Sequence, residues 1–325
     1  MCAMQTPEFW HIDCPAARCF TPLSWLYAGL GKMRRDFAKT YKASVPVICV
    51  GNVVAGGAGK TPICLSLGEF FKKQNKTPVF LSYGYGGIYG GPLVVDPHAH
   101  QAIHVGDEAL LLTRTGITVI GEDRVAASKL AVSEGADVIV MDDGFQNPYL
   151  HKDLSLLVVD GEYGVGNGRI IPAGPLREKF DHAVDRADTI VLYGQDKHHL
   201  FARIPSSKPI LQARMVPDAR QIEKLKGRKI MAFAGIGRPQ KFYHMLRDYG
   251  LNVIETHDFP DHHYFNSSEI VLLIKEAERQ GAHLVTTAKD LVRIEQNLQE
   301  NIEPIHVRVE WSDPGQLEKL LSRFM

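Results

Sequence analysis

The stretch from Val45 to Pro62, VPVICVGNVVAGGAGKTP, constrains the fold of this chain more than any other segment. Its first part is apolar and rich in β-branched residues, which predicts a buried strand. The glycines that follow predict a turn, and Lys60-Thr61 predict the start of a helix. In a strand–turn–helix unit of this kind, backbone N–H groups can face one anion, and the helix N-terminus adds positive potential. The segment therefore predicts a phosphate-binding loop.

Two side chains of this loop suit a nucleotide. Lys60 supplies a mobile positive charge, and Thr61 offers a hydroxyl to a nucleotide-bound Mg²⁺. The general pattern G-x-x-x-x-G-K-[ST] requires a glycine where this chain has Val54, so the loop is off-pattern. The alternative interpretation is a glycine-rich turn that binds no ligand. The candidate nucleotide-binding residues are Gly56, Gly57, Ala58, Gly59, Lys60 and Thr61.

Length and composition bound the class of protein. At 325 residues the chain is long enough for two domains, and its 45% hydrophobic and 23% charged residues are typical of a globular protein. The formal net charge is zero, so we expect no nucleic-acid partner. Five cysteines, an odd number with no C-x-x-C pair, favour reduced thiols over disulfides or zinc.

The N-terminal region lacks the features of a secretory signal but carries an amphipathic pattern. Apolar residues recur at helical spacing at Leu23, Leu26, Leu30, Met33, Phe37 and Tyr41. Basic residues share the segment at Lys32, Arg34, Arg35, Lys39 and Lys42. Such a helix can lie in an anionic membrane interface, or it can pack on the domain with its charges in water. The pattern leaves both possibilities open.

Short apolar strands alternate with helices along most of the chain, which predicts an α/β fold. We expect a P-loop NTPase-like, mostly parallel sheet with helices on both faces, and a second, smaller α/β domain. The expected divisions are an N-terminal membrane-associating segment at 1–42, a P-loop kinase domain at 43–160, a second α/β domain at 161–304, and a C-terminal strand and helix at 305–325 that pack back on the first domain.

Acidic residues outside the loop are candidates for catalysis. In VIVMDDGFQNP an apolar strand ends at Asp142-Asp143, where a P-loop enzyme places an acidic ligand for Mg²⁺. Asp107 begins a helix in HVGDEALLL, and by itself this placement indicates only a first-turn acid.

Histidines and basic residues near the C-terminus form two further candidate groups. HDFPDHHYF, at 257–265, holds three histidines and two aspartates, which favours a histidine paired with a carboxylate over a zinc site. VTTAKDLVRI places Lys289, Asp290 and Arg293 at a strand end and first helical turn, a location that favours anions but is often only a capped helix. FAGIGRPQKF, at 233–242, lacks the third glycine of a dinucleotide fingerprint and predicts a tight turn.

Taken together, these motifs resemble the tetraacyldisaccharide 4′-kinases of lipid A biosynthesis. The shared segments cover nearly the whole chain in the family's order. They are GNVVAGGAGKTP at 51–62, S-x-GYGG at 82–87, VGDE at 105–108, DDGFQ at 142–146, GNG-x4-PAGPLRE at 166–178, FAGIG at 233–237, FPDHH at 259–263 and TT-x-KD at 286–290. The shifted glycines of the P-loop match the family where they break the general pattern.

The resemblance implies transfer of the ATP γ-phosphate to the 4′-hydroxyl of a tetraacylated disaccharide 1-phosphate, which gives lipid IVA. It implies ATP and Mg²⁺ as cofactors, with Lys60 on the β- and γ-phosphates. Thr61 and Asp142 would hold the metal, with Asp143 and Glu178 in the same cluster. Asp107 and His262 would form the dyad that activates the sugar hydroxyl.

The lipid substrate also implies a place in the cell. The enzyme would act peripherally at the cytoplasmic face of a bacterial inner membrane, with no obligate protein partner. The alternative function is a membrane-associated P-loop nucleotide switch, although a base-specificity motif such as N-K-x-D is absent.

Two positions depart from the family pattern. Tyr83 replaces the arginine of S-R-G-Y-G-G, so a positive charge is lost there or supplied elsewhere. Asn147 replaces a histidine after DDGFQ, and an amide cannot shuttle a proton. Neither change touches the expected metal ligands.

Overall fold

The computed structural model describes residues 7–57 and 59–325, and the backbone of this part of the chain builds two β-sheets with helices packed against them. Ala58, one of the expected nucleotide-binding residues, lies outside the described residues. The strands are β1 Val47–Gly51, β2 Pro78–Ser82, β3 Leu93–Val94, β4 Thr118–Ile120, β5 Val138–Asp142, β6 Leu154–Asp160, β7 Thr189–Tyr193, β8 Ile210–Pro217, β9 Lys229–Ala234, β10 Asn252–Asp258, β11 Ala282–Thr287, β12 Glu303–Ile305 and β13 Val307–Trp311.

The helices alternate with these strands, as the sequence predicts for an α/β fold. They are α1 Pro15–Cys19, α2 Thr21–Asp36, α3 Lys60–Lys73, α4 Ala102–Val105, α5 Asp107–Thr113, α6 Arg124–Ser133, α7 Phe180–Arg186, α8 Ala219–Leu225, α9 Pro239–Asp248, α10 Ser267–Gln280, α11 Ala288–Leu291, α12 Gln296–Gln299 and α13 Pro314–Leu321. Short 3₁₀ helices lie at Glu8–Trp10, Leu200–Arg203 and Ser322–Phe324.

The larger sheet has nine strands in the order β13-β8-β7-β6-β1-β5-β2-β4-β3. Its seven central strands pair in parallel, while β3 and β13 pair antiparallel at the two edges. The phosphate-loop strand β1 lies between β5 and β6, so the carboxyl ends of these three strands meet at one edge. Ligands of open α/β sheets bind at this kind of edge.

Both faces of the larger sheet are covered. On β1, Val47 and Cys49 belong to one buried apolar cluster, and Ile48 and Val50 belong to another. Because successive side chains of a strand point to opposite faces, β1 is buried on both sides. A continuous apolar run is what such a strand requires. The predicted fold class is confirmed.

The smaller sheet has four parallel strands in the order β10-β9-β11-β12 and spans residues 229–305. The sequence division placed a second domain at 161–304, but β7 and β8, at residues 189–217, pair within the larger sheet. The C-terminal strand β13 pairs with β8, and α13 adds Leu317 and Leu321 to the core of the larger sheet. The chain therefore leaves the larger sheet after β8 and returns to it at β13.

Helix α2 contains the first four apolar residues of the predicted amphipathic stripe, Leu23, Leu26, Leu30 and Met33. It ends at Asp36, so Tyr41 lies beyond it, where it forms an isolated bridge with Leu150 and packs on the core. Ser24 is the buried residue of the helix, and its hydroxyl donates to the Ile170 carbonyl at 2.7 Å. In residues 7–57 and 59–325, we find no helix with the length and apolar character that crossing a bilayer takes.

Candidate active site

The phosphate loop leaves β1 through a close contact that only glycine permits. A Cβ on Gly51 would lie 2.5 Å from Phe145 Cβ and 3.0 Å from its backbone nitrogen, so the loop and the DDGFQ segment pack backbone to backbone. Beyond it, the segment preceding α7 holds the first half of the loop. Arg177 N donates to the Val53 carbonyl at 2.7 Å, and Ala55 N donates to the Pro175 carbonyl at 2.8 Å.

The position that makes the loop off-pattern lies within this backbone pairing. Val54 forms an antiparallel bridge with Leu176, and its carbonyl accepts from Asn52 Nδ2 at 2.7 Å. A residue in extended backbone needs no glycine. Where the general pattern has its first glycine, this loop therefore has a short strand pairing with the PAGPLRE segment.

The second half of the loop is open. A Cβ on Gly56 or Gly57 would meet nothing within 4 Å. Gly59 has φ of +71° and precedes α3 directly, in the left-handed conformation that favours glycine. Lys60 is the first residue of α3 and is buried. Its Nζ lies 3.4 Å from Asn52 Oδ1 and 3.6 Å from Asp143 Oδ2.

The end of β5 brings Asp142 against the start of α3. Thr61 donates its hydroxyl to Asp142 Oδ2 at 3.1 Å, while Asp142 Oδ1 is buried without a hydrogen-bond partner among the described residues. Burial, with the negative charge of Glu108 beside it, raises the pKa of Asp142 to about 7. An orphan buried carboxylate oxygen next to a hydroxyl is what a magnesium ion on a P-loop would satisfy.

Asp143 and Glu178 are each engaged by arginines. Arg177 forms a fork with both carboxylate oxygens of Asp143, at 2.7 and 3.0 Å. Burial opposes ionisation of Asp143, but Lys60 and Arg177 lower its pKa to about 2. Arg186 forks onto Glu178 in the same way, with one contact at 3.0 Å. Of the four expected metal ligands, Thr61 and Asp142 are the two whose side chains make no hydrogen bond to an arginine within the described residues; Arg124 donates to the backbone carbonyl of Asp142 at 3.1 Å. Within the described ranges, no three His, Cys, Asp or Glu side chains gather around one point to hold a metal.

A cleft of about 250 Å³ opens in front of these residues. Its lining brings together residues from the ends of β2 and β5 with the start of α5. They are Ser82, Tyr83, Tyr85, Glu108, Asp142, Asp143 and Arg177.

Asp107 and His262 meet on one side of this cleft. His262 Nδ1 lies 3.1 Å from Asp107 Oδ2, although 155 positions separate the two residues in sequence. Tyr85, a cleft residue, packs the edge of its ring on His262 with centroids 5.7 Å apart. Asp107 is 4% exposed and starts α5. The pair thus joins the larger sheet to the loop that follows β10 of the smaller one.

Two basic residues stabilise the Asp107 carboxylate. Arg293 donates to Asp107 Oδ2 at 2.9 Å from Nε and 2.6 Å from Nη2, and Lys289 Nζ lies 3.8 Å away. Burial alone would raise the pKa of Asp107, but Lys289, His262 and Arg293 together hold it well below its usual range. Asp107 is therefore a permanent carboxylate that orients the His262 ring.

The FAGIG turn, at 233–237, helps to position the Asp107–His262 pair through its backbone. The Gly235 carbonyl accepts from His262 N at 3.1 Å and from Arg293 Nη1 at 2.8 Å, while Gly235 N donates to Asp290 at 2.9 Å. The turn is thus a scaffold for the histidine, in agreement with the expectation of a tight turn.

The other histidines of HDFPDHHYF have separate partners. His263 Nε2 lies 3.0 Å from Glu269, and the His263 ring stacks on Phe259. His257 lies 3.1 Å from Glu255. His262 is the one of the three that reaches Asp107.

The two departures from the family pattern have local explanations. Tyr83 lines the cleft, and the buried Arg124 guanidinium lies over its ring, 5.7 Å from the centroid. Arg124 thus places a positive charge beside the position where the family has an arginine. Asn147 caps a turn, because its Oδ1 accepts from the backbone nitrogens of Tyr149 and Leu150.

Sequence reasoning missed three contributors to this site. The sequence predicts a role for Glu178 but not for its neighbour Arg177, and for Lys289 and Arg293 it indicates no more than an anion-friendly, capped helix. The clue for Arg177 is its place within the shared PAGPLRE run. For Lys289 and Arg293 the sequence carries no comparable signal, because a basic residue on α11 and another shortly after it also suit a capped helix.

Comparison with known proteins gives the same assignment for nearly the whole chain. The family model for tetraacyldisaccharide-1-P 4′-kinase (LpxK) matches residues 16–325. The tetraacyldisaccharide 4′-kinase of Paramagnetospirillum magneticum is 45% identical over 322 residues, covering 98% of each chain. That of Gluconobacter oxydans is 45% identical over 317 residues, covering 97% of this chain and 96% of the relative.

A solved structure agrees in fold. The LpxK of Aquifex aeolicus, crystallised in complex with ATP, superposes with a TM-score of 0.78 at 29% identity and covers 95% of this chain and 99% of its own. These matches cover nearly the whole chain and agree with one another. The chain belongs to the tetraacyldisaccharide 4′-kinase family.

Proposed function

We propose that this protein transfers the γ-phosphate of ATP to the 4′-hydroxyl of a tetraacylated glucosamine disaccharide 1-phosphate, which gives lipid IVA. The observation that carries the proposal is the Asp107–His262 pair, 3.1 Å apart, beside the cleft that Tyr85 and Asp142 line, with Tyr85 packed on His262. A histidine oriented by a carboxylate can take the proton of an acceptor hydroxyl during phosphoryl transfer. Family membership favours this function over the membrane-associated nucleotide switch.

His262 is the general base in this proposal. Its Nδ1 faces the Asp107 carboxylate, so Nδ1 carries the proton and Nε2 accepts. Lys289 Nζ lies 3.4 Å from Nε2. Burial disfavours the Lys289 ammonium, but Glu108 and Asp107 raise its pKa, so it stays charged. The acceptor hydroxyl would take the place of Lys289 at Nε2 and give up its proton there.

The nucleotide phosphates belong on the loop. Gly56, Gly57 and Gly59 leave the backbone accessible, and Lys60 reaches the phosphates from the first turn of α3. Thr61 and Asp142 would hold Mg²⁺, which neutralises phosphate charge when bound. Asp143 and Glu178 would position basic residues next to this metal site. Asp143 pairs with Lys60 and Arg177, and Glu178 pairs with Arg186.

The assay combines purified protein, ATP, Mg²⁺ and the disaccharide 1-phosphate, followed by detection of a bisphosphorylated product. Lys60→Ala should abolish activity, and His262→Ala should lower kcat about 10²- to 10⁴-fold with little change in ATP binding. His263→Ala is the matched control, because that histidine pairs with Glu269 instead. Acceptor-independent hydrolysis with no such product would favour the nucleotide switch. Near-normal kcat in His262→Ala would refute the dyad.

A peripheral site of action at the cytoplasmic face of the inner membrane forms part of the proposal. Helix α2 is fixed through Ser24, and its apolar stripe faces outward: Leu23, Leu26, Leu30 and Met33 are 53–61% exposed. Trp25 is 72% exposed. Exposed apolar residues among basic ones on a single helix are typical of binding to an anionic lipid surface.

Vesicle sedimentation tests this part. Substituting Gln at Leu23, Leu26 and Leu30 together should reduce binding to anionic vesicles and raise the KM for lipid substrate. Leu272→Gln, on α10 and 67% exposed, removes an equally accessible apolar side chain elsewhere and should change neither. Unchanged vesicle binding in the triple variant would exclude α2 as the membrane contact.

A further inference from the structure

A charged cluster joins the smaller sheet to the open half of the phosphate loop. Arg238 precedes α9 and reaches across to the larger sheet, where Nη2 lies 2.5 Å from Asp160 Oδ2 at the end of β6. The same nitrogen donates to the Gly57 carbonyl at 3.1 Å. Tyr193, at the end of β7, donates its hydroxyl to Asp160 at 2.8 Å. We call Arg238, Asp160 and Tyr193 the clasp.

The clasp contacts the loop at two points. Besides the hydrogen bond to Gly57, the Tyr193 ring lies against Gly59, where a Cβ would come within 3.0 Å of Tyr193 Cε1. The first half of the loop pairs with the segment around Leu176, whereas a Cβ added to Gly56 or Gly57 would meet no atom within 4 Å. The hydrogen bond from Arg238 to the Gly57 carbonyl therefore holds the second half of the loop, which lies beyond the backbone pairing of the first half.

The charge of the buried Asp160 carboxylate holds the Arg238 side chain in this position. The Asp160 side chain is 3% exposed, and burial alone would raise its pKa. Arg238 and Lys241 outweigh that effect and lower the pKa of Asp160, so the carboxylate stays charged. A buried carboxylate with a guanidinium at hydrogen-bond distance fixes the planar group of Arg238 tightly. The Arg238 guanidinium also lies over the Tyr163 ring, 5.1 Å from its centroid.

We infer that Arg238 is a positioning residue for nucleotide binding, which acts by fixing the direction of the Gly57 carbonyl. A carbonyl oxygen that turns toward a bound polyphosphate repels it, whereas a loop whose N–H groups face the anion binds it. By holding the Gly57 oxygen toward the smaller sheet, Arg238 preorganises the loop for phosphate, and it ties that preorganisation to the presence of the smaller sheet. The inference rests on the proposed binding of ATP by this loop.

Calorimetric titration with ATP and Mg²⁺ tests the inference without any lipid acceptor. Arg238→Ala should raise the Kd for ATP roughly tenfold, the size expected for one lost charge-assisted hydrogen bond and its ordering effect. In steady-state assays the KM for ATP should rise, while kcat at saturating ATP stays within about threefold, because Arg238 does not touch the acceptor side.

Lys241→Ala is the matched control. Lys241 lies on the helix that Arg238 precedes, and its Nζ is 3.4 Å from Asp160. Its closer contact is to Glu162 at 2.9 Å, and among the described residues it makes no hydrogen bond or ion pair with the loop. We expect its Kd for ATP to stay within about twofold of wild type. If Arg238→Ala does not fold, Arg238→Met replaces it, since methionine keeps part of the apolar stem but has no hydrogen-bond donor for Asp160 or Gly57.

The outcomes separate this inference from the proposed function. An unchanged Kd in a folded Arg238 variant overturns the inference, even if the protein is a lipid kinase. Equal losses in Arg238→Ala and Lys241→Ala would also overturn it, because they would trace the effect to Asp160 rather than to the loop. Wild-type protein that binds ATP tightly, and loses that binding in the Arg238 variant, supports the inference even if no lipid product forms.

Discussion

Arg293 offers the sharpest test of how the two sheets are held at the active site. Its side chain is 1% exposed and makes ion pairs with Asp107 and with Asp290, which is 0% exposed. It also donates to the Gly235 carbonyl at 2.8 Å. Arg293→Met keeps much of the side-chain length but removes every one of these contacts. The two carboxylates would remain buried, with Asp290 losing its closest cation.

Removing one partner of a buried, hydrogen-bonded ion pair costs about 3–5 kcal/mol, because the other charge is left uncompensated. We expect a loss of this size in the free energy of unfolding, measured by urea denaturation. Arg279→Met is the matched control. Arg279 also follows its carboxylate, Glu276, by three residues, but it is 72% exposed, so its removal should cause no measurable change.

The loss in Arg293→Met should depend on pH. Burial raises the pKa of Asp290, and Arg293 opposes that rise. A carboxyl whose pKa is raised by folding stabilises the fold at low pH and loses that contribution as pH climbs through the raised value. Without Arg293 the pKa of Asp290 rises further, so the variant should be less impaired at about pH 5 than at about pH 8. An unfolding free energy within about 1 kcal/mol of wild type at both pH values would refute the buried network.

Two other predictions concern the loop and its metal. Gly51→Ala should lower the free energy of unfolding by about 1–3 kcal/mol in urea denaturation, because its Cβ would lie 2.5 Å from Phe145 Cβ. Gly57→Ala is the control and should leave stability unchanged, since a Cβ there would meet nothing within 4 Å. Equal effects of the two substitutions would contradict the packing at Gly51. Since burial raises the pKa of Asp142 to about 7, Mg²⁺ binding should strengthen as pH rises through that value. At about pH 6, where Asp142 is mostly protonated, binding should release close to one proton, measurable by titration calorimetry in buffers of different ionisation enthalpy. Binding at that pH without proton release would exclude Asp142 as a ligand.

The sequence was most informative where a local pattern decides the structure. The apolar runs PVFLS, at 78–82, and LSLLVVD, at 154–160, each predict a short buried strand. The structure has β2 and β6 at those residues, and both strands are buried along their whole length. The phosphate loop and Asp142 can be predicted for the same reason. Each directly follows an apolar run, so the sequence marks it as a strand end, and sites in α/β sheets form at strand ends.

What the sequence could not supply is set by contacts between distant segments. The membership of β7 and β8 in the larger sheet depends on which apolar strands pair, and all of them look alike in sequence. Arg293 is 186 positions from Asp107, and nothing in VTTAKDLVRI distinguishes a buried cation from a capping one. The family resemblance named Asp107 and His262, but the basic residues that fix the charge of Asp107 required the structure.

The return of the chain to β8 has a consequence for folding. Pro217, the last residue of β8, pairs with Val307, the first of β13, and Asp218 N donates to the His306 carbonyl at 2.9 Å. The smaller sheet is thus an insertion whose two ends meet, the geometry in which an inserted unit can fold independently of its host. All four of its strands, β9 to β12, precede β13 in the chain. The larger sheet can therefore gain its edge strand β13 only after the strands of the smaller sheet have been synthesised.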